Sequence, residues 1–321
     1  ELKISAEKIF VGSTGRIGVT MPMPNVKRGI VEAAKLLGSK AANANVAAEA
    51  IMTSDTRPKQ IAIEFKLGRK TARIGGICKG AGMIQPGMSA TGKRPAALPS
   101  PSHSLFWHLS QLKGLKIPPR TPMYLHATML CFITTDVAIE TEALQLALNE
   151  AIAQSFNRVT VDGDMSTNDT VLVLANGLAE NQKITRAKIL DAIFIAEQTQ
   201  TKKKKLKDAI VFLSALKFVC LELAKMIVRD GEGVHRVVTV RVNGAKTIQD
   251  ADAAARAVAN SALVKTSWHG GDPNWGRIID ALGYSPAKIV EEKVDIGYSA
   301  VGSKQILWSL KRGQPTKATF K

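Results

Sequence analysis

Four short polar clusters hold most of the residues in this chain that could do chemistry. They are Ser13-Thr14-Gly15-Arg16-Ile17-Gly18, residues 162–170, Arg229-Asp230-Gly231-Glu232-Gly233 and residues 270–277. Each sets hydroxyls, carboxylates or amides beside glycine at an expected element end, where sites tend to sit. One such cluster would read as a turn, but four invite a common explanation. Lys79-Gly80-Ala81-Gly82 puts a cation beside open backbone. It lacks the third Gly of a GxGxxG turn and the GK[ST] ending of a P-loop, so it does not read as a phosphate cradle. His103, His108, His126, His235 and His269 form no HExxH pair. Cys78, Cys131 and Cys220 are too widely spaced for a CxxC clip. No metal site is expected, and scattered cysteines fit a reducing compartment, here the cytoplasm.

Read together, the motifs resemble the ornithine acetyltransferase (glutamate N-acetyltransferase) family of arginine biosynthesis. The matching stretches are STGRIG (13–18), AIMTSDTRP (50–58), GGICKGAGMIQP (75–86), ATMLCFITTD (127–136), SFNRVTVDGDMSTNDTVLVLANG (155–177), VRDGEG (228–233) and GDPNWGRI (271–278). They are colinear with the family and span most of the chain. The resemblance implies a precursor that cuts itself between Ala127 and Thr128. Residues 1–127 and 128–321 would then be α and β chains, assembling as a heterotetramer of two of each. It also implies acetyl transfer from N-acetyl-L-ornithine to L-glutamate through an acetyl-Thr ester, with no cofactor. Some members take acetyl-CoA as a second acetyl donor.

The chemistry is sensible on its own terms. A Thr hydroxyl is a weak nucleophile and needs an adjacent base. An N-terminal α-amine supplies one, with a reference pKa of about 7.7–8.0, near working pH. By the same resemblance, Thr14 and Gly15 match the oxyanion-hole pair. Thr56, Lys79, Thr128 and Glu232 match substrate-contacting positions. Lys79 would hold an α-carboxylate and Glu232 an amine.

The chain also departs from the family pattern. An insertion over about 90–126 separates Lys79 from Thr128 and creates a second Ala-Thr pair, Ala90-Thr91, at nearly the family's spacing. Thr128 is preferred because Met-Leu-Cys-Phe-Ile-Thr-Thr-Asp follows it, whereas Gly-Lys-Arg follows Thr91. Both ends look short against the family. An Asn and a Ser or Thr that would add substrate contacts are expected beyond residue 321. Two alternatives stay open: a related self-processed N-terminal-nucleophile aminopeptidase or amidase, and an inactive truncated member.

The elements that must position these residues are legible in outline. Hydrophobic periodicity predicts strands at 2–11, 60–66, 71–74, 157–161, 170–174, 236–242, 295–298 and 305–310. Helices are expected at 28–38, 142–155, 186–198, 205–229, 251–263 and 275–282, while 47–52 reads as either. Hairpins beside grouped helices give an α/β chain of the layered α+β kind. The resemblance adds sheets sandwiched between helices in an N-terminal-nucleophile-like acetyltransferase fold.

Composition agrees with a globular chain: 321 residues, 45% hydrophobic, 22% charged and 5% aromatic, so the core is mainly aliphatic. The net charge of +17 raises the question of an acidic partner. Few aromatics interleave with Lys202-Lys203-Lys204-Lys205, so no nucleic-acid platform is expected. The apolar run 209–228 is broken by Lys217, Glu222 and Lys225, which argues against a membrane span.

Overall fold

The computed structural model describes residues 2–15, 18–88, 128–194 and 204–317. Ala127, Thr91 and the 90–126 insertion lie outside the described residues, as does the end of the helix expected over 186–198. Helices and sheets are mixed, and the chain divides after Val234 into two compact units.

The first unit contains α1 (Met23–Lys35), α2 (Ala41–Ala50), β1 (Lys59–Leu67), β2 (Lys70–Lys79) and β3 (Leu130–Thr135). It continues with α3 (Thr141–Ala153), β4 (Thr170–Ala175), α4 (Arg186–Ile193) and α5 (Lys207–Arg229). The four strands form one sheet in the order β1-β2-β3-β4. The first two pairings are antiparallel and the third is parallel. Gly68, at φ 57°, makes the tight turn between β1 and β2. Its N–H donates to Asp208 at the start of α5, 2.9 Å away, so hairpin and helix are docked at one end.

The 23 residues of α5 bury Phe212, Leu216, Val219, Cys220, Leu223 and Ile227 at helical spacing. That stripe lies against Ile74, Cys78, Cys131 and Ile133, while α3 and α4 complete the layer. Fully burying one such aliphatic side chain contributes about 1.5–3 kcal/mol. The broken apolar run is thus a core-facing stripe, and Lys217 on its edge pairs with Glu150 at 2.8 Å. Among the described residues no helix is long and apolar enough to cross a membrane. The opposite face of the sheet takes α2 against β1 and β2, and Gly12 against Phe132 of β3. Burial pushes all three cysteine thiols up, Cys220 to about 12, so none is poised to react.

The boundary expected at 127/128 does not coincide with the division between compact units, which falls after Val234. The 127/128 boundary falls between β2 and β3, which are paired neighbours in the sheet.

The second unit holds α6 (Ile248–Asn260), α7 (Ala262–Gly270), α8 (Trp275–Gly283) and a three-stranded antiparallel sheet, β5 (Ile296–Tyr298), β6 (Leu307–Lys311) and β7 (Gln314–Pro315). Its core joins Val258, Val264, Ile278 and Leu282 to Ile296 and Leu310.

Three expected strands do not form among the described residues. Residues 2–11 contain a 3-10 turn at Ala6–Lys8 and expose Ile4, Ile9 and Phe10. Asn157 and Arg158 lie within another 3-10 turn, Phe156–Arg158, and residues 159–161 form no strand. Residues 236–242 lack ladder hydrogen bonds, although Val240 and Val242 pack on the second core. Alternation shows that a segment suits an extended path; a ladder also needs a neighbour with free backbone groups.

Candidate active site around Thr128

Thr128 stands two residues before β3 and is 1% exposed. Because β3 and β4 run parallel, with Leu130 opposite Thr170, the loop entering β4 lies beside Thr128. Thr170 N–H donates to the Met129 carbonyl at 2.9 Å and fixes that approach. The Thr128 hydroxyl lies 2.9 Å from Ser166 Oγ and donates to Asn168 Oδ1. Asn168 Nδ2 donates in turn to the Ser13 carbonyl at 2.9 Å, tying the STG segment to the hydroxyl's own partner. The next residue, Asp169, accepts the Met129 N–H at 3.0 Å through Oδ1. Its Oδ2 is buried and has no hydrogen-bond partner among the described residues. Burial pushes this carboxyl up to about 6.

Lys79 ends β2 opposite Leu130 and is 1% exposed. Its ammonium donates to Thr14 Oγ1 at 3.1 Å. Burial pulls the Lys79 pKa down, against the attraction of Asp55. Thr14 is therefore held to Lys79, and its neighbour Ser13 to Asn168. Gly15 follows directly, and Arg16 and Ile17 lie outside the described residues.

The chain turns sharply after Lys79. Gly80 adopts φ 146°, and a Cβ there would meet Ile84 Cδ1 at 2.9 Å. The Asp162 carboxylate receives the N–H groups of Met83 and Ile84 at 2.6 and 3.0 Å. Asn157 exchanges hydrogen bonds with the Met88 backbone. The KGAGMI stretch is thereby laid along the SFNRVTVDGD stretch. Glu232 joins from the end of α5: its N–H donates to the Ala81 carbonyl at 2.9 Å. Its carboxylate lies over Gly82, where a Cβ would come within 2.6 Å of Cδ.

Thr56 is reached through Asp230, which accepts its N–H at 3.0 Å and also its hydroxyl. Lys59 lies between Asp230 and Asp55, 2.5 Å from a carboxylate oxygen of each. Burial pushes both carboxyls up, but these hydrogen bonds outweigh it and hold them below the usual aspartate range.

The structure thus brings Thr14, Lys79 and Thr128 into one hydrogen-bonded cluster and sets Thr56 and Glu232 on segments tied to it. Sequence reasoning singles out residues 162–170 and 229–233 as clusters but gives Ser166, Asn168, Asp169 and Asp230 no roles. It does not single out Asp55 or Lys59 at all. Their signal is membership of the AIMTSDTRP stretch and a charged residue just inside a strand. The fourth cluster has a structural role in its own unit. Gly271, at φ 74°, ends α7 in the left-handed conformation, and Asn274 caps α8 by accepting the Arg277 N–H at 3.1 Å. Arg277 donates to Leu263 O and Thr266 Oγ1 at 2.7 and 2.9 Å, locking α7 to α8.

A buried hydroxyl held by two side chains, and tied through Asn168 to a segment that an ammonium grips, suits attack on a carbonyl. Among the described residues no cluster of His, Cys, Asp and Glu could hold a metal ion.

Comparison with known proteins agrees in direction. The profile of the ArgJ family matches residues 1–100 and 108–319. The chain is 43% identical over 294 residues to a glutamate N-acetyltransferase of Methanocaldococcus jannaschii, covering 91% of this chain and 58% of that protein. It is also 43% identical over 295 residues to an arginine biosynthesis bifunctional protein ArgJ of Symbiobacterium thermophilum, covering 92% and 59%. The chain therefore spans about three fifths of the length of these relatives. A crystal structure of the Bacillus halodurans protein of that name is 38% identical, with a TM-score of 0.47 over 58% of this chain and 76% of the other.

Proposed function

This chain belongs to the ArgJ family, and from that premise we propose that Thr128 is the nucleophile of an acetyl transfer from N-acetyl-L-ornithine to L-glutamate. One observation carries the reading: the buried Thr128 hydroxyl, held by Ser166 and Asn168, is joined through Asn168 to the Ser13-Thr14-Gly15 segment that Lys79 also grips.

The reaction begins with cleavage. Thr128 Oγ1 attacks the Ala127 carbonyl carbon, the peptide bond breaks, and water hydrolyses the resulting ester to leave a free Thr128 α-amine. That amine then takes the hydroxyl proton as Oγ1 attacks the acetyl carbonyl of N-acetyl-ornithine. Thr14 and Gly15 face the developing oxyanion, where one donor is typically worth about 10²–10³ in rate. The C–N bond breaks, ornithine leaves with the proton, and the acetyl group remains as an ester on Thr128. The glutamate amine attacks that ester and departs as N-acetylglutamate, returning the proton to Oγ1. Lys79 binds the substrate carboxylate, Glu232 its free amine, and Thr56 contributes a hydroxyl. The reading needs no resident cofactor; acetyl-CoA enters as a second donor where it is used. The segments that meet at 127/128 stay together as parts of α and β chains, two of each, in the cytoplasm.

A denaturing gel with intact mass tests the first step: two fragments meeting at 127/128 are expected, and one fragment after Thr128→Ala. An assay offering glutamate or water as acyl acceptor tests the second. Preference for glutamate supports transfer, and release of free acetate regardless of glutamate would turn the reading into an amidase.

A further inference from the structure

Lys59 is a fully buried cation that the reaction above does not use. Its side chain is 1% exposed, and those of its partners Asp55 and Asp230 are 0% and 3% exposed. A buried ion set of this kind is weak evidence for stability, because desolvation offsets much of the Coulombic gain. Its geometry says what else it does. Asp55 also accepts the N–H groups of Gly80 at 2.7 Å and Thr53 at 3.1 Å. Asp230 also accepts the Thr56 N–H and hydroxyl. One ammonium therefore joins three separate segments: the loop carrying Thr56, the turn following Lys79, and the end of α5 that presents Glu232.

We propose that Lys59 is a positioning residue of the acetyl-transfer site, holding Thr56, Lys79 and Glu232 in mutual register through Asp55 and Asp230. The proposal rests on the function assigned above. It has two physical parts. The hydrogen bonds fix backbone positions on three segments at once, which preorganises the substrate contacts. The ammonium also pairs with Asp55, the carboxylate whose charge acts most strongly on Lys79. Without Lys59, Asp55 competes with substrate for the Lys79 ammonium.

The test compares wild type with Lys59→Met, Lys59→Arg and Asp230→Asn in the full chain. Amide hydrogen exchange at Thr56 and Gly80 reports the register directly, and steady-state transfer reports its consequence. In Lys59→Met those amides should exchange about tenfold faster while core amides of α5 keep their protection. KM for N-acetyl-ornithine should rise about tenfold with kcat changed far less, as expected for lost substrate positioning. Lys59→Arg should recover part of the KM. If Lys59→Met fails to fold, Asp230→Asn decides the matter: Lys59 keeps Asp55, and the Thr56 amide and KM should change while Gly80 stays protected. Unchanged Thr56 exchange and unchanged KM in the folded variants would overturn the proposal, as would parallel loss of kcat and KM with core unfolding. A wild type that shows no transfer, but whose Thr56 and Gly80 amides still depend on Lys59, would refute the assigned reaction and leave the register role standing.

Discussion

Replacing Asp169 by Asn should reshape the pH dependence of folding. The measurement is best made in a Thr128→Ala background, which keeps the chain continuous. Burial raises the Asp169 carboxyl from 3.8 to about 6. A shift of about 2 units at 1.36 kcal/mol each is about 3 kcal/mol of differential proton binding. The sign follows from linkage. The folded chain binds this proton more tightly than the unfolded chain, so folding loses stability as pH rises from about 4 to about 6. Below that window the penalty is absent, and above it the penalty is complete. The amide introduced by Asp169→Asn has no such proton and can still accept the Met129 N–H. Whatever fixed penalty that buried amide adds is independent of pH. Urea unfolding of both proteins at several pH values between about 3.5 and 7.5 isolates the contribution of the carboxyl. The stability of the Asp169→Asn variant minus that of its parent should climb by about 3 kcal/mol across this range. Parallel profiles, with a flat difference, would refute the claim that burial raises the Asp169 carboxyl.

Three further outcomes are expected. Lys79→Ala and Glu232→Ala should self-cleave normally but raise KM for the acetyl donor, as read by denaturing gel and steady-state kinetics; unchanged kinetics in both would count against their assignment. Gly80→Ala should lose about 1–3 kcal/mol in chemical denaturation, from its backbone conformation and the contact with Ile84. Leu216→Ala should lose about 2–5 kcal/mol by opening a cavity in the fully buried stripe of α5, with the 127/128 cut still formed.

Sequence reading succeeds where one local pattern determines the outcome. The apolar stripe of α5 and the β1–β2 hairpin about Gly68 both follow from spacing within a short window. It fails where the outcome depends on a distant partner. Residues 2–11 and 236–242 alternate like strands, yet neither finds a ladder among the described residues. The same limit hides Lys59. A lysine at the start of a strand ordinarily reads as solvated surface; Asp55 lies only four residues away, but nothing local shows that Asp230, from a distant motif, closes over it too. Thr128, Lys79 and Glu232 are singled out because their motifs occur in a recognisable order. Ser166 and Asn168 acquire a role only through the parallel β3–β4 pairing, which short-range patterning does not encode.

The pairing of β2 with β3 has a consequence for how the chain tolerates change between them. The strands are adjacent in the sheet, but the connection from Lys79 to Leu130 is long. Loop-closure entropy grows only with the logarithm of length, so doubling such a connection costs about 0.6 kcal/mol. An extra segment there is thermodynamically inexpensive. Cutting it at Ala127–Thr128 is a different matter, because unfolding then releases two molecules instead of one. The melting temperature of the cut protein should rise with its concentration, as it does for a dimer, whereas that of the continuous chain should not.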